Sequence, residues 1–276
     1  MRKSKVRLAA RALAVFVLNS VILSCAIAAT PLSTITIDIQ SIDALKKRYP
    51  VVTTTVDDPV YNRKQRYEGI LLSDLIKQLT STKIPSGELY LRFRCVDGYL
   101  PIMPLARAST GKAVVAFRDL NAGPGKDWQT FASTNGPQTP APSYIVWESP
   151  SPADPDIYPW PYRMVAIELI TAADAMGELS AASTALQGRD AFLQHCFKCH
   201  RINGAGGTMG PELNTPCSVT EYWDHAALKR FIIKPESVRA GAKMPPFPTL
   251  PEADVDHIIE FLNAMAKQRS LQHACR

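Results

Sequence analysis

The sequence predicts two folded regions, a sheet-rich α+β region followed by a region that is all α. Runs of alternating and β-branched residues before residue 173 indicate strands. After residue 185, apolar residues recur at three- and four-residue spacing, which indicates packed helices. The small, polar stretch at residues 174–184 is typical of a linker between domains. We therefore assign residues 30–173 to the first region and residues 185–270 to the second.

Five segments of the first region carry the strand pattern, and one carries a helix pattern. Strands are predicted at residues 34–39, 89–95, 113–117, 144–147 and 164–170. The helix is predicted at residues 73–79, where the apolar residues share one face. Residues 137–161 are dense in proline and are predicted to be loop. In the second region a closing helix presents one apolar stripe, formed by Val255, Ile258, Ile259, Leu262 and Met265.

The most specific motif in the chain runs from Cys196 to His200 and reads C-x-x-C-H. This is the attachment pattern of a c-type haem. Cys196 and Cys199 would each form a thioether to one porphyrin, and His200 would bind the iron as its proximal ligand. The motif occurs once, so the sequence predicts one covalent haem c.

The sixth iron position is predicted to be filled by Met244. Electron-transfer cytochromes commonly use methionine there, which raises the reduction potential. Met244 lies in the proline-rich loop 241–248, where extended backbone can hold a projecting ligand. Met209 follows His200 too closely in sequence to reach the opposite haem face, and Met265 is interpreted as core.

Residues 186–267 resemble the class I cytochrome c family. The matching features are Gly188 and Phe192 on a first helix, the C-x-x-C-H motif, a Gly-Pro-x-Leu-Asn segment at residues 210–214, the Lys-Met-Pro loop and the closing helix. The resemblance implies that the Pro211 carbonyl accepts a hydrogen bond from the His200 ring and orients it. It also implies that the closing helix packs on the first helix at Gly188 and Phe192.

The amino terminus has the features of an export signal. Five basic residues precede an apolar run at residues 12–27, and Ala26-Ile27-Ala28 fits a cleavage site. The run is short for a membrane anchor and is interrupted by polar residues. We therefore predict a signal peptide at residues 1–29 and a periplasmic protein. A lipoprotein in which Cys25 carries lipid is the alternative.

The high isoelectric point is no evidence for nucleic-acid binding, because the excess positive charge lies mostly in the predicted signal peptide. Without the five basic residues of the signal peptide, the chain has 26 basic and 25 acidic side chains. Several basic residues lie close in sequence to the haem-binding segments: Lys198, Arg201, Lys234, Arg239 and Lys243. They form either a basic rim that attracts acidic redox partners or an ordinary mixed surface.

The first region resembles the molybdopterin-binding domain of sulfite-oxidase-type oxidoreductases. The matching stretches are residues 67–76, 90–104 and 162–169. In that family a cysteine thiolate that precedes the first helix binds molybdenum, but residues 30–67 contain no cysteine. Cys95 occurs later, on a predicted strand. The resemblance therefore implies a related domain in which molybdopterin is unlikely, used for docking or for holding the cytochrome region.

The remaining polar and aromatic residues leave several alternatives open. Cys95, Cys217 and Cys275 are an odd number of thiols, and the sequence does not determine which of them pair. Three histidines outside the motif, at positions 195, 225 and 257, are interpreted as surface residues. Tyr158, Trp160 and Tyr162 form a cluster that could line a binding face or fill the core.

These features together predict a periplasmic monohaem c-type cytochrome. It would carry single electrons between a periplasmic dehydrogenase and a downstream cytochrome or oxidase of the respiratory chain. No catalytic residue is assigned, because a haem with both axial positions filled needs no bound substrate. One alternative is a molybdopterin-dependent dehydrogenase fused to its cytochrome, and another is a haem-based redox sensor.

Overall fold

The computed structural model describes residues 34–81, 84, 86–133, 136–150, 154–176 and 185–268. The predicted signal peptide, Cys25, Cys275 and residues 177–184 of the predicted linker lie outside this part of the chain. Within it, no helix has the length and apolar character needed to cross a bilayer.

The N-terminal region contains two four-stranded antiparallel sheets. The first sheet has the order β1 (Ile35–Asp38), β8 (Met164–Thr171), β4 (Leu89–Cys95) and β5 (Ile102–Pro104). The second has the order β2 (Val52–Asp58), β3 (Arg63–Leu71), β6 (Lys112–Asp119) and β7 (Tyr144–Ser149). Four helices accompany them: α1 (Ile42–Arg48), α2 (Leu72–Leu79), α3 (Leu105–Thr110) and α4 (Ala172–Met176). The predicted sheet-rich architecture is therefore correct.

All five predicted strands and the predicted helix are present, but the sequence pattern missed β2, β3 and the short β5, together with α1, α3 and α4. The inward-facing positions of β2 and β3 include Thr54, Asp58 and Gln65, which are polar yet no more than 5% exposed. An alternation of apolar and polar residues is therefore weak in this hairpin. Asp58 ends β2 and accepts hydrogen bonds from the Val60 and Tyr61 backbone at 2.8 and 2.9 Å. These bonds fix the turn to β3.

The C-terminal region has the predicted helices together with a short two-stranded ladder. Its elements are α5 (Leu186–His195), β9 (Arg201–Ile202), β10 (Ala205–Gly206), α6 (Val219–Tyr222), α7 (His225–Ile233), α8 (Pro235–Val238) and α9 (Glu252–Gln268). The expectation of an all-α region is therefore correct only in part. The β9–β10 turn uses Asn203 and Gly204, both with positive φ, so the chain reverses within two residues.

Helices α5 and α9 pack together and form the core of the C-terminal region. The Phe192 and Phe261 rings lie 5.3 Å apart at this contact. The apolar stripe of α9 is buried as predicted, with Val255, Ile259 and Met265 at most 1% exposed. A Cβ at Gly188 would collide with the His257 carbonyl, so only glycine permits this approach.

The N-terminal sheet contributes directly to the core of the C-terminal region. Ile170 at the end of β8 and Ala175 on α4 belong to the same buried cluster as Phe192 and Ile259. Helix α4 includes the first three residues of the stretch predicted as linker. The two regions therefore share an apolar contact in addition to their chain connection.

Substituting Gly188→Ala should destabilise the protein by about 1–3 kcal/mol, because α5 and α9 must separate to admit the methyl group. In a chain of this size each kcal/mol lowers Tm by about 2–4 °C. Thermal unfolding followed by circular dichroism measures the effect. Gly123→Ala is the matched control, since Gly123 has open space around its Cα. Equal Tm values for the two variants would contradict the role of Gly188.

Candidate haem site

The C-x-x-C-H motif begins where α5 ends. The Cys196 backbone N–H donates to the Phe192 carbonyl at 2.8 Å, and the His200 N–H donates to the Cys196 carbonyl at 2.9 Å. The motif is therefore wound as a helical turn. In such a turn Cys196 and Cys199, three residues apart, lie on the same side. This arrangement can direct both thiols towards one planar group.

The His200 ring is oriented by a hydrogen bond to the Pro211 carbonyl, with 2.9 Å between Nδ1 and the oxygen. A carbonyl can only accept, so Nδ1 carries the proton and Nε2 is left as a lone-pair donor. Burial lowers the pKa of His200, which favours the neutral ring. A Cβ at Gly210 would lie 2.5 Å from the His200 Cε1 atom, so a glycine is needed beside the ring.

A cavity of about 750 Å³ opens beside this motif. Its C-terminal side is lined by Cys199, Met209 and Met244. The Met209 sulfur lies 4.0 Å from the Cys199 sulfur. Cys196 and His200 occupy the adjoining turn and do not line the cavity, and Cys196 is only 9% exposed. Burial raises the pKa of the Cys196 thiol to about 12.

Met244 reaches the cavity from the loop between α8 and α9. It is half-buried and packs against the core of the C-terminal region. Pro245 and Pro246 follow it on the cavity wall. The structure thus brings Met244 and Cys199 to one cavity although 45 residues separate them in sequence.

Another part of the cavity wall belongs to the N-terminal region. It is formed by Pro59, Val60, Asp97, Tyr99, Pro155, Trp160 and Tyr162. Of the aromatic cluster noted in the sequence, Trp160 and Tyr162 line the cavity, whereas Tyr158 packs against Trp147 with 4.9 Å between ring centroids. The cluster therefore serves both as core and as cavity wall.

Asp156 of the N-terminal region forms an ion cluster with the segment that carries the C-x-x-C-H motif. Its carboxylate lies 3.0 Å from His195 Nδ1 and pairs with the Lys198 ammonium. The hydrogen bond from His195, together with Lys198, lowers the pKa of Asp156 to about 2. One sequence interpretation is corrected here: the His195 side chain is only 16% exposed and is paired, so His195 is not a surface residue. Of the two alternatives left open for the basic residues, a basic rim would not include Lys198, whose side chain is 14% exposed.

Two backbone hydrogen bonds join the same surfaces. The Leu100 N–H donates to the Lys198 carbonyl at 2.8 Å, and the Thr208 N–H donates to the Gly98 carbonyl at 2.9 Å. Gly98 has φ +85°, and a Cβ there would collide with the Thr208 hydroxyl. The turn between β4 and β5 is therefore fitted directly against the C-x-x-C-H motif.

The other cysteines have different environments. Cys95 is a free thiol, 5% exposed, in the N-terminal core, and burial raises its pKa. Cys217 is disulfide-bonded. In the part of the chain that the structure describes, no cluster of three or more His, Cys, Asp or Glu side chains could hold a metal ion.

The comparison with protein families agrees with this geometry. Residues 183–262 match the family model for cytochrome C oxidase, cbb3-type, subunit III. The match includes the C-x-x-C-H motif, Pro211 and Met244. The C-terminal region is therefore a cytochrome c-type domain, which implies covalent haem c and electron transfer. No curated protein matches the chain at a significant level.

The residues around the cavity fit a covalent haem. The cavity volume lies within the range of about 300–1,000 Å³ typical of cofactor sites. Trp160 adds an independent observation, because its buried indole N–H has no hydrogen-bond partner among the described residues. Buried donors are nearly always paired. The carboxylates of a porphyrin are acceptors that such a donor could engage.

Sequence reasoning did not identify Asp156 or Tyr99 as neighbours of the motif. Asp156 lies in the proline-rich loop, where neither periodicity nor a motif distinguishes it. Tyr99 falls in residues 90–104, a stretch that resembles the molybdopterin-binding domain, and nothing in that pattern indicates a neighbour of the motif. Their positions depend on how the two regions pack together.

Replacing Asp156 with asparagine should weaken the contact between the regions and make it less sensitive to acid. The folded pKa of about 2 lies below the unfolded value of about 3.9, so the stabilisation is complete above about pH 4 and is lost as pH falls towards 2. The carboxylate is 34% exposed, so we expect a loss of only about 0.5–1 kcal/mol at pH 7.

Thermal unfolding between pH 2 and pH 7 tests this expectation. Asp156→Asn should lower Tm at pH 7 and reduce the fall in Tm between pH 4 and pH 2. Asp127→Asn is the control, because the Asp127–Arg118 pair is exposed and lies within the N-terminal region. A wild-type acid profile in Asp156→Asn would show that the ion cluster does not stabilise the fold.

Proposed function

We propose that this protein is a periplasmic monohaem cytochrome that carries single electrons between a dehydrogenase and the respiratory chain. The observation that carries the proposal is the arrangement of the C-x-x-C-H turn. His200 is oriented by Pro211, and Cys199 and Met244 face one cavity. A histidine and a methionine on opposite sides of a haem are typical of electron transfer.

Each residue of the site has a separate role in this proposal. Cys196 and Cys199 would hold the porphyrin by thioether bonds, so a haem would stay attached in both oxidation states. His200 would offer Nε2 to the iron, and the hydrogen bond from Nδ1 to the Pro211 carbonyl orients the ring. Met244 would be the second side-chain ligand, and a thioether ligand favours ferrous iron. The haem itself supplies the one-electron chemistry.

Rigid positioning suits this role because electron transfer is fastest when little has to move. Met244 is held by a proline-rich loop, and the His200 ring is hydrogen-bonded to the Pro211 carbonyl and lies against Gly210. With haem bound, neither side chain would have to move for an electron to pass. No bound substrate is required, so we assign no catalytic residue.

The location and partners follow from the remaining sequence features. An export signal at residues 1–29 agrees with haem attachment outside the cytoplasm, and lipidation of Cys25 is the alternative form of the mature terminus. Arg201, Lys234, Arg239 and Lys243 are exposed and could attract acidic redox proteins. Lys198 is excluded from that group by its pairing with Asp156.

The N-terminal region is proposed to be a relative of the sulfite-oxidase molybdopterin domain that does not use Cys95 as a metal ligand. Its support is the family's motif order and the absence of a cysteine from residues 30–67. Cys95 also lies in the apolar core, where burial raises its pKa and favours the protonated thiol. In this proposal the region acts structurally.

Substituting Cys199→Ser should greatly reduce covalent haem retention, because one of the two thioether bonds is lost. Haem staining after denaturing electrophoresis, on protein matured in a periplasm, measures this. Cys95→Ala removes a thiol outside the motif and should leave staining unchanged. If Cys199→Ser stains as strongly as the wild type, the assignment of the motif to covalent haem attachment is wrong.

Substituting Met244→Ala should lower the reduction potential by roughly 100 mV or more, since the thioether ligand favours ferrous iron. It should also open the iron to carbon monoxide. Redox titration and the visible spectrum under carbon monoxide measure the two effects. Met209→Ala, at the same cavity, is the matched control. If Met209→Ala alone shows these changes, Met209 rather than Met244 is the axial ligand.

A further inference from the structure

The aromatic part of the cavity wall has a feature that the proposed cytochrome function does not explain. Tyr99, Trp160 and Tyr162 belong to the N-terminal region, yet they line the cavity of the C-terminal site. A cytochrome domain of about 80 residues does not need another domain to attach a haem. The shared cavity therefore indicates that the N-terminal region takes part in the haem site.

We propose that the haem site is composite: the N-terminal region supplies its second wall, and Trp160 contacts the porphyrin. This inference rests on the proposed function, because it requires a haem bound through Cys196 and Cys199. The wall excludes water from one side of the haem and raises its reduction potential. Trp160 takes no part in the electron-transfer chemistry itself and acts by closing this wall against water.

The rings of the wall are held from behind by the N-terminal core. The Trp160 and Tyr144 centroids lie 6.0 Å apart, and those of Tyr162 and Phe131 lie 5.0 Å apart. Tyr144 is fully buried. The Trp160 ring is therefore supported by Tyr144 on one side and borders the cavity on another. Such rings can exclude water without rearranging.

The indole N–H of Trp160 independently indicates an occupant. Trp160 is 6% exposed, and its nitrogen is buried without a partner in the described residues. By contrast, the Trp147 indole donates to the Pro159 carbonyl at 2.8 Å. An unpaired buried donor costs about 1–3 kcal/mol, so a group in the cavity is expected to accept from Trp160.

The two regions are joined tightly enough for this wall to keep its place. The contacts of Leu100 and Gly98 with the motif segment use main-chain atoms, and Asp156 pairs with both His195 and Lys198. The chain neighbours of these contacts, Tyr99 and Pro155, line the cavity together with Lys198. The wall is thus positioned by the same backbone that carries Cys199.

Burial of a haem favours the ferrous state, because water stabilises the additional charge of the ferric state. Removing the Trp160 ring admits water to the cavity. Trp160→Ala should therefore shift the equilibrium with a one-electron redox dye about three- to tenfold towards ferric protein. A tenfold shift corresponds to about 59 mV for a one-electron couple. Ferricyanide should also oxidise the ferrous haem several-fold faster.

Matched variants separate haem contact from general destabilisation. Trp160→Phe keeps an aromatic ring at the wall and should restore most of the wild-type potential. Trp128→Ala alters a tryptophan that packs on Tyr67 away from the cavity, and its potential should equal that of the wild type. Gly98→Ala, which should push the wall away from Thr208, should lower the potential in the same direction as Trp160→Ala.

The experiment uses the full-length protein with haem attached, and its outcomes are distinguishable. A wild-type potential and a wild-type ferricyanide rate in both Trp160→Ala and Gly98→Ala would overturn the composite site while leaving the cytochrome function intact. A wild-type protein matured without covalent haem would overturn the proposed function itself. If Trp160→Ala does not fold, Gly98→Ala is compared with Trp128→Ala, and a wild-type potential in Gly98→Ala again overturns the inference.

Discussion

The contact on which the rest of the structure depends is the fit of the β4–β5 turn against the C-x-x-C-H motif. Leu100 donates to the Lys198 carbonyl, and Gly98 accepts from the Thr208 N–H. Main-chain hydrogen bonds of this kind fix position more closely than side-chain contacts, because the backbone has few torsional freedoms. The N-terminal wall and the haem-binding turn therefore hold one relative placement, and the cavity lies between them.

Glycine makes this close approach possible at several points around the motif. Side chains at Gly206 and Gly207 would collide with the His200 and Lys198 carbonyls, and a side chain at Gly210 would press on the imidazole. The absence of a side chain at Gly188 likewise permits the close crossing of α5 and α9. The site is thus assembled by backbone segments packed against one another, and its ligands project from those segments with little freedom.

The charges near the motif serve two purposes. Lys198, inside the motif, is neutralised by Asp156 and is used for attachment of the N-terminal region. Arg201, Lys234 and Arg239 remain exposed at the surface. Lys234 and Arg239 flank α8 in the chain, whereas the Lys198 ammonium is paired with Asp156.

The sequence by itself determined the local chemistry and the regular elements. The motif, the α9 stripe and five strands are local patterns, in which spacing along the chain is enough to identify the structure. The role of Pro211 followed from the resemblance to class I cytochromes c. It did not reveal the β2–β3 hairpin, because Gln65 and Asp58 are buried polar residues that interrupt the alternation. Only the tertiary structure placed Asp156 on His195 and Trp160 beside Cys199 and Met244. Those contacts join residues far apart in sequence, and packing between the two regions decides them.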